Sequence, residues 1–270
     1  MLRVPVAGGV VFFKGCAPVQ AFEPSLTAEL YSRWPDRVSE VLAHDAERAW
    51  LLLADAGTPV AARGNPPEAW LAVLPLYAEL QRGEVPHTPA HLAHNVPDLR
   101  VETLPARYEL LLTHDLPLSG EEITHLRAFA PRFVELCSEL ASAGVPDTVQ
   151  HDDLHGANVY ERGERRRVLD WGDASISHPF ASLVETFRFL ERQLSPDDLW
   201  FARLRDAYLE PWGAGLDDTF ALAIRVGTFA LAIAWLRQRD NLSAEQRAEF
   251  DRWYPVVLRR AISQTIEPPR

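Results

Sequence analysis

Hydrophobic and polar positions divide the chain into a short sheet-forming part followed by a longer helical part. At the start, two apolar runs at residues 4–7 and 10–13 flank Gly8-Gly9, a pattern that predicts a β-hairpin. Lys14 follows the second run directly. The predicted hairpin therefore ends in a cationic side chain.

The residues up to about 55 complete this first part. Leucines four positions apart predict a helix over residues 23–31, and apolar runs predict strands at residues 38–42 and 49–53. We therefore expect residues 1–55 to form an N-terminal lobe that consists of a sheet and one helix.

Residues 56–270 are predicted to form a second, mainly helical lobe. A helix over residues 68–81 is expected to end at Gly83, and a long amphipathic helix that begins at Gly120 is expected to be capped by Gly144. Helical periodicity also predicts later helices at residues 184–194, 197–209, 220–239 and 244–262.

One polar segment interrupts the helical lobe and carries its candidate chemistry. Short apolar pairs at residues 159–160 and 168–169 predict a second hairpin, with Asp153 and Asn158 on the loop before it and Asp170 at its exit. The oxygen atoms of these three side chains would then lie close together. Because Mg²⁺ prefers oxygen ligands and is usually held by one or two carboxylates together with substrate phosphates, the segment predicts a site for magnesium and phosphate.

Composition narrows the classes of function. The chain has 270 residues, with 27 Lys and Arg against 38 Asp and Glu, and a formal net charge of −11. Such an acidic chain is not expected to bind nucleic acid. Cys16 and Cys137 are too few for a disulfide framework and favour the reducing cytoplasm. The longest apolar run, residues 226–236, is shorter than the ~20 residues that span a bilayer, so no membrane segment is expected.

Almost all cationic residues of the chain are arginine. Lys14 is the only lysine, beside 26 arginines. Arginine and lysine are not interchangeable where a compact ammonium must meet a phosphate or a carboxylate in a tight site. This single ammonium group is therefore predicted to be functional.

These motifs together resemble those of a known family. Residues 151–158, His-Asp-Asp-Leu-His-Gly-Ala-Asn, and residues 169–171, Leu-Asp-Trp, are similar to the catalytic segment of the aminoglycoside phosphotransferase and choline kinase-like family. The similarity extends back to residues 13–14 and 22–24. It implies a two-lobed α+β fold of the protein-kinase type, with ATP and Mg²⁺ in the cleft between the lobes. It also implies transfer of the γ-phosphoryl group to a hydroxyl of a small molecule.

The resemblance implies roles for residues of the large lobe. Asp153 is expected to be the catalytic base, and Asn158 and Asp170 are expected to bind Mg²⁺. Asp152 stands where the family usually has glycine, and the roles of Asp152 and His155 stay open.

The resemblance also implies roles for residues of the small lobe. Lys14 is expected to contact the α- and β-phosphates, and Glu23 to fix Lys14. Backbone groups from Leu53 to Asp55 are expected to hold the adenine at a hinge. Only three residues precede the first hairpin, so either the start codon is misassigned or the small lobe is truncated at its N-terminus, without a first strand and its phosphate-covering loop. In the second case, weak affinity for ATP is expected.

Two other functions stay open at this point. A kinase-like module that binds nucleotide without catalysis would fit the short N-terminus. The two histidines and two aspartates of residues 151–155 are also compatible with a metal-dependent phosphohydrolase. For the kinase hypothesis, the charge of the chain is compatible with a cationic acceptor. Trp200, Trp212 and Trp235 fit either an acceptor pocket or a core, and the sequence leaves the oligomeric state open.

Overall fold

The computed structural model describes residues 1–195, 198–239 and 242–265. Its strands and helices are β1 (Leu2–Val6), β2 (Gly9–Gly15), α1 (Glu23–Arg33), β3 (Val41–Asp45), β4 (Trp50–Ala54), β5 (Thr58–Pro59), α2 (Pro67–Glu84), α3 (Thr88–Ala93), α4 (Leu104–Leu111), α5 (Gly120–Ser142), β6 (Thr148–Gln150), β7 (Val159–Arg162), β8 (Arg165–Val168), β9 (Ser175–Ser177), α6 (Leu183–Leu190), α7 (Leu199–Leu209), α8 (Asp217–Gln238) and α9 (Ala244–Ser263). The fold is therefore α+β, as expected, with sheet concentrated near the N-terminus. The predicted start of α7 at Asp197 lies outside the described residues.

The N-terminal sheet is antiparallel, with the strand order β1-β2-β4-β3. The predicted hairpin is present, and Lys14 pairs with Leu51 of β4. The strand predicted at residues 38–42 is wrong at its start, because β3 begins at Val41. Val38 is instead fully buried and forms a single bridge to Val168 of the large lobe. The apolar side chain of Val38 therefore packs between the lobes.

The large lobe is built around a core of helices. Tyr108 of α4, Phe129 and Phe133 of α5 and Phe229 of α8 form one aromatic cluster, with ring centroids 4.6 to 5.6 Å apart in the contacting pairs. By length and composition alone, α8 is apolar enough to cross a membrane, and 61% of its most apolar window is buried inside the protein. That burial is the behaviour of a core helix.

Helix α2 does not end before Gly83 as predicted, but continues through it to Glu84. A Cβ atom at Gly83 would lie 2.2 Å from the ring of Trp34. The glycine is thus needed for close packing against the residue that follows α1, and this tertiary contact outweighs the low helix propensity of glycine.

Glu84 joins three helices in the interior. It is fully buried and accepts hydrogen bonds from Nε and Nη2 of Arg33, each at 2.7 Å, and from Nε1 of Trp34 at 2.7 Å. Nε2 of His91, from α3, lies 2.8 Å from the same carboxylate. Burial alone would raise the pKa of Glu84, but these bonds from His91, Arg33 and Trp34 lower it to about 2. The carboxylate therefore fastens the end of α1 to α2 and α3.

We expect Glu84→Gln to destabilise the protein by about 3–5 kcal/mol, because it breaks a buried pair and leaves the Arg33 cation only its longer contact with Glu29, at 3.7 Å. Glu79→Gln is the matched control, since Glu79 lies on the same helix and pairs with Arg37 while 47% exposed. Its cost should be under about 1 kcal/mol. Urea denaturation followed by circular dichroism measures both. Equal losses of stability would contradict the special role of Glu84.

Candidate active site

Two loops meet where short strands end in the large lobe. Strand β6 ends at Gln150 and leads into residues 151–158, while β8 ends at Val168 and leads to Asp170. The backbone amide of Leu169 donates to the carbonyl oxygen of Asn158 at 2.9 Å. The predicted hairpin, β7 with β8, thus holds the two motif segments side by side.

His151 braces this junction. It is fully buried, its Nε2 donates to the carbonyl oxygen of Leu169 at 2.7 Å, and its Nδ1 accepts from the amide of Asp153 at 3.3 Å. Burial lowers the pKa of His151, so the ring is neutral near pH 7. Both ring nitrogens are engaged with backbone groups, which is the arrangement of a structural residue.

Two aspartates in these loops adopt left-handed backbone conformations. Asp152 has φ of 61° and Asp170 has φ of 65°. This region favours glycine and, less strongly, aspartate and asparagine. The family's glycine at the position of Asp152 therefore has a conformational reason, and aspartate keeps the backbone while it adds a buried carboxylate.

Asp153 and Asn158 are fixed to each other. Nδ2 of Asn158 donates to both the backbone oxygen and Oδ2 of Asp153, each at 2.9 Å. Since the amide nitrogen is used in this way, Oδ1 of Asn158 is the atom left for a metal ion. Asp170 offers a second oxygen donor, and its side chain is 45% exposed. A hard cation such as Mg²⁺ fits this donor set once phosphate oxygens complete it.

The ammonium of Lys14 reaches across from the N-terminal sheet. It lies 2.6 Å from Oε2 and 2.7 Å from Oε1 of Glu23, at the start of α1, and it also forms an ion pair with Asp170. The structure thus brings together side chains from β2, α1 and the loop after β8. Cys16 Sγ lies 3.3 Å from Oε2 of Glu23 and completes the surroundings of that carboxylate.

The charges in this cluster stabilise one another. Burial would lower the pKa of Lys14, but Glu23 and Asp170 raise it above its ordinary value, so the amine stays protonated. Burial would raise the pKa of Asp170, and Lys14 lowers it below its ordinary value. Burial raises the pKa of Glu23, which is 1% exposed, against the opposing effect of Lys14. Loss of the ammonium would therefore leave Glu23 as an unpaired buried acid.

The segment expected to act as the hinge follows β4. Leu53 is buried in the sheet, and the amide of Ala54 is bonded to the carbonyl oxygen of Glu40 at 3.0 Å. The Asp55 carboxylate accepts from Nη2 of Arg162 at 2.6 Å and from the amide of Gly57 at 3.1 Å. The side chain of Asp55 is therefore engaged by the protein itself, so any role in nucleotide binding falls to the backbone.

A cavity of about 460 Å³ opens beside Asp153. Its wall combines acidic and aromatic side chains that come mainly from the catalytic loops, α8 and α9. These are Asp152, Asp153, Asp173, Trp235, Glu249, Phe250 and Trp253. The three tryptophans singled out in the sequence, Trp200, Trp212 and Trp235, all pack against the core, and Trp235 also lines this cavity.

Sequence reasoning left out Asp173 and did not assign a role to Asp152. Burial, together with the charges of Asp153 and Asp170, raises the pKa of Asp173 to about 7. Burial raises the pKa of Asp152 to about 6. The negative charge of the cavity therefore increases as the pH rises through this interval. The position of Asp173, three residues after Asp170, is visible in the sequence. Nothing in the sequence indicates that its side chain lines a cavity.

The described part of the chain contains no group of three or more His, Cys, Asp and Glu side chains that could hold a metal ion. The phosphohydrolase hypothesis needs such a group and gains no support. A site made of one carboxylate, one amide oxygen and substrate phosphates is of a different kind.

Comparison with known proteins identifies the fold. No family model matches the chain, and no curated protein sequence is significantly similar to it. Among solved structures, choline kinase LicA from Streptococcus pneumoniae superposes with a TM-score of 0.61 at 13% identity, covering 96% of this chain and 89% of that one. Macrolide 2'-phosphotransferase MphH from Brachybacterium faecium gives 0.58 at 15% identity, with 99% and 88% covered.

Other neighbours carry nucleotides. LicA has also been solved with AMP, at a TM-score of 0.60, 15% identity and coverage of 95% of this chain and 83% of that one. The GDP complex of aminoglycoside 2'-phosphotransferase-IIIa gives 0.59 at 12% identity, with 92% and 83% covered. The chain thus has the two-lobed, protein-kinase-like fold of the small-molecule kinases, the fold that its motifs resembled.

Proposed function

We propose that this protein is a phosphotransferase that moves the γ-phosphoryl group of ATP to a hydroxyl of a small molecule. The observation that carries the proposal is the contact of Lys14 with both Glu23 and Asp170, which lie 9 and 156 residues away along the chain. Phosphoryl transfer needs positioning and neutralisation of charge more than covalent chemistry. An ammonium held between two carboxylates, beside a further aspartate and an asparagine, supplies those requirements.

Each side chain has a part in this mechanism. Lys14 binds the α- and β-phosphates, and Glu23 orients its ammonium. Asn158 and Asp170 would hold Mg²⁺, which would supply neutralisation of the phosphate charge. Asp153 accepts the proton of the acceptor hydroxyl as that oxygen attacks the γ-phosphorus, the bond to the β,γ-bridging oxygen breaks, and ADP leaves.

The rest of the proposal concerns the bounds of the two lobes, the position of the adenine and the location of the protein. We assign residues 1–55 to the small lobe and residues 56–270 to the large lobe, with the adenine against the backbone of Leu53 to Asp55. Cys16 and Cys137 are free thiols, in keeping with a cytoplasmic location.

The cavity beside Asp153 supports a cationic acceptor. Asp152, Asp173 and Glu249 provide negative charge, and Trp235 and Trp253 provide aromatic faces, which attract cations electrostatically. A hydroxyl on such a molecule would lie near the catalytic carboxylate while its cationic group contacts the acidic wall.

The test is a panel of hydroxylated compounds with Mg-ATP, with ADP release measured at pH 6 and pH 8. Each cationic compound is paired with its neutral isostere, for example choline with 3,3-dimethylbutan-1-ol. We expect kcat/KM to favour the cationic member by about tenfold or more. Because Asp152 and Asp173 ionise over this interval, the preference should be larger at pH 8.

Other results would contradict the proposal in distinct ways. Binding of ATP without ADP release with any acceptor would favour the non-catalytic kinase-like module. Equal turnover of the paired compounds would leave the phosphotransferase in place and remove the cationic acceptor. Absence of any nucleotide binding would exclude the whole class.

A further inference from the structure

His155 is the polar residue of the catalytic loop that the proposed mechanism leaves without a role. Its Nε2 lies 3.3 Å from Oδ1 of Asp153. Its Nδ1 accepts a hydrogen bond from the amide of Ala157 at 3.2 Å. The ring is stacked on Phe189, with centroids 4.2 Å apart and planes inclined by 25°. One contact of the ring therefore involves the proposed base, and two others hold the ring in place.

The contact with Ala157 determines which nitrogen carries the proton. An amide N–H can only donate, so Nδ1 must present a lone pair, and the hydrogen of the neutral ring lies on Nε2. Nε2, the protonated nitrogen, lies 3.3 Å from Oδ1 of Asp153. His151 repeats this arrangement in the same loop, since its Nδ1 accepts from the amide two residues on and its Nε2 donates to an oxygen.

As a result, each of the two carboxylate oxygens of Asp153 lies near a nitrogen of another side chain. Asn158 donates to Oδ2 at 2.9 Å, and His155 faces Oδ1. Each carboxylate oxygen has a further lone pair, so an acceptor site stays available on either oxygen for the hydroxyl proton. Catalytic hydrogen bonds are often long or poorly aligned before substrate binds and tighten in the working complex, and the 3.3 Å between Nε2 and Oδ1 is close enough for one to form there.

Helix α6 fixes the ring from behind. Phe189 lies near the end of this helix, and the hydroxyl of Thr186, one turn earlier, donates to the carbonyl oxygen of Leu154 at 2.8 Å. Arg192 also contacts Phe189, with its guanidinium carbon 4.3 Å from the ring centroid. The helix therefore limits rotation of His155 away from Asp153.

We propose that His155 is a positioning residue that donates from Nε2 to Oδ1 of Asp153 and, with Asn158, sets the plane of the catalytic carboxylate. This proposal rests on the proposed phosphotransferase function. His155 keeps its own proton throughout, while the hydroxyl proton goes to Asp153. Its loss should lower kcat and leave the binding of both substrates nearly unchanged, because it touches neither phosphate nor acceptor.

Two substitutions separate positioning from loop structure. In His155→Gln the amide nitrogen takes the place of Nε2, which keeps the donor to Asp153 and loses the acceptor for Ala157. In His155→Asn the amide oxygen takes the place of Nδ1, which keeps the acceptor and loses the donor. His44→Asn, on the exposed strand β3, is the control for substitution of a histidine.

We expect His155→Asn to lower kcat by about 10- to 100-fold, the range for hydrogen bonds to charged groups. His155→Gln should retain kcat within about threefold, and KM for ATP and acceptor should change by less than about threefold in both variants. The control should match the unsubstituted protein. A purely structural role through Ala157 predicts the reverse order, with Asn active and Gln impaired, and that result would overturn the proposal.

A spectroscopic measurement stands apart from activity. Long-range ¹H–¹⁵N correlation spectra of the protein with ¹⁵N-labelled histidine, assigned through His155→Asn, should show the ring hydrogen of His155 on Nε2, with Nδ1 as an acceptor. An Nδ1–H tautomer, or a doubly protonated ring, would refute the geometry even if the enzyme proved active. Conversely, the expected tautomer without any ADP release would place the failure in the proposed function.

Discussion

Asp153→Asn is expected to lower kcat by about 10²- to 10⁴-fold, the usual contribution of a positioned general base. The substitution is isosteric, and an amide oxygen can still accept the hydrogen bond from Nδ2 of Asn158. What is lost is the second anionic oxygen and with it the ability to take the hydroxyl proton. Turnover is measured as ADP release at saturating acceptor, and nucleotide affinity by isothermal titration with Mg-ATP.

Binding provides the control within the same experiment. Asp153 makes no ion pair with Lys14, so the affinity of the variant for Mg-ATP should stay within about threefold of the unsubstituted protein. Asp36→Asn, at an exposed aspartate, should leave both quantities unchanged. Equal turnover in the Asp153 variant and the unsubstituted protein would remove Asp153 from the proposed mechanism.

The part of the site that could be predicted from sequence is the part carried by short motifs. Asp153 and Asn158 lie five residues apart on one loop, so local geometry alone brings them within hydrogen-bonding distance. Lys14 and Asp170 are far apart along the chain, and their meeting followed from the resemblance of motif order to a two-lobed kinase. The contact of Lys14 with Glu23 and Asp170 agrees with that expectation, while the functional roles of these residues stay predictions.

The cavity beside Asp153 could not be predicted in the same way. Glu249 and Trp253 lie on the last helix, and Trp235 lies on α8. Aromatic residues at helical spacing have the same pattern whether they face a core or a cavity, since both faces are apolar. Only the packing of α8 and α9 against the loop around Asp153 decides which of them face the cavity.

Local predictions failed where tertiary contacts override local preference. Gly83 has the composition of a helix end, yet α2 continues because the ring of Trp34 occupies the space of a side chain. Val38 belongs to an apolar run and is nevertheless outside β3, because it packs against Val168 of the other lobe. In both cases the decisive partner is distant in sequence.

Replacement of Lys14 tests the site from the opposite lobe. Lys14→Met should lower kcat/KM for ATP by about 10²- to 10³-fold, comparable with loss of one preorganised charge-stabilising group. Lys14→Arg keeps the charge and should still lose at least about tenfold, because a planar guanidinium does not fit where a compact ammonium contacts Glu23 and Asp170. Initial rates at varied Mg-ATP measure both.

Loss of folding must be separated from loss of function in the Lys14→Met variant. Glu23 is 1% exposed, and without the ammonium it becomes an unpaired buried carboxylate, at a cost of about 3–5 kcal/mol in stability. The double variant Lys14→Met with Glu23→Gln removes that charge, so it should recover most of the stability and none of the activity. Recovery of turnover together with stability would show that Lys14 serves only the fold.

The single lysine also permits a direct test of contact with nucleotide. An acyl-phosphate derivative of ATP transfers its acyl group to an amine that lies against the phosphates, and Lys14 is the only side-chain amine in the chain. We expect mass spectrometry to find the label on Lys14 and excess Mg-ATP to prevent it. Labelling of the N-terminal amine alone, unaffected by ATP, would mean that the ammonium does not meet the triphosphate, and the proposed nucleotide site would have to be abandoned whatever the double variant showed.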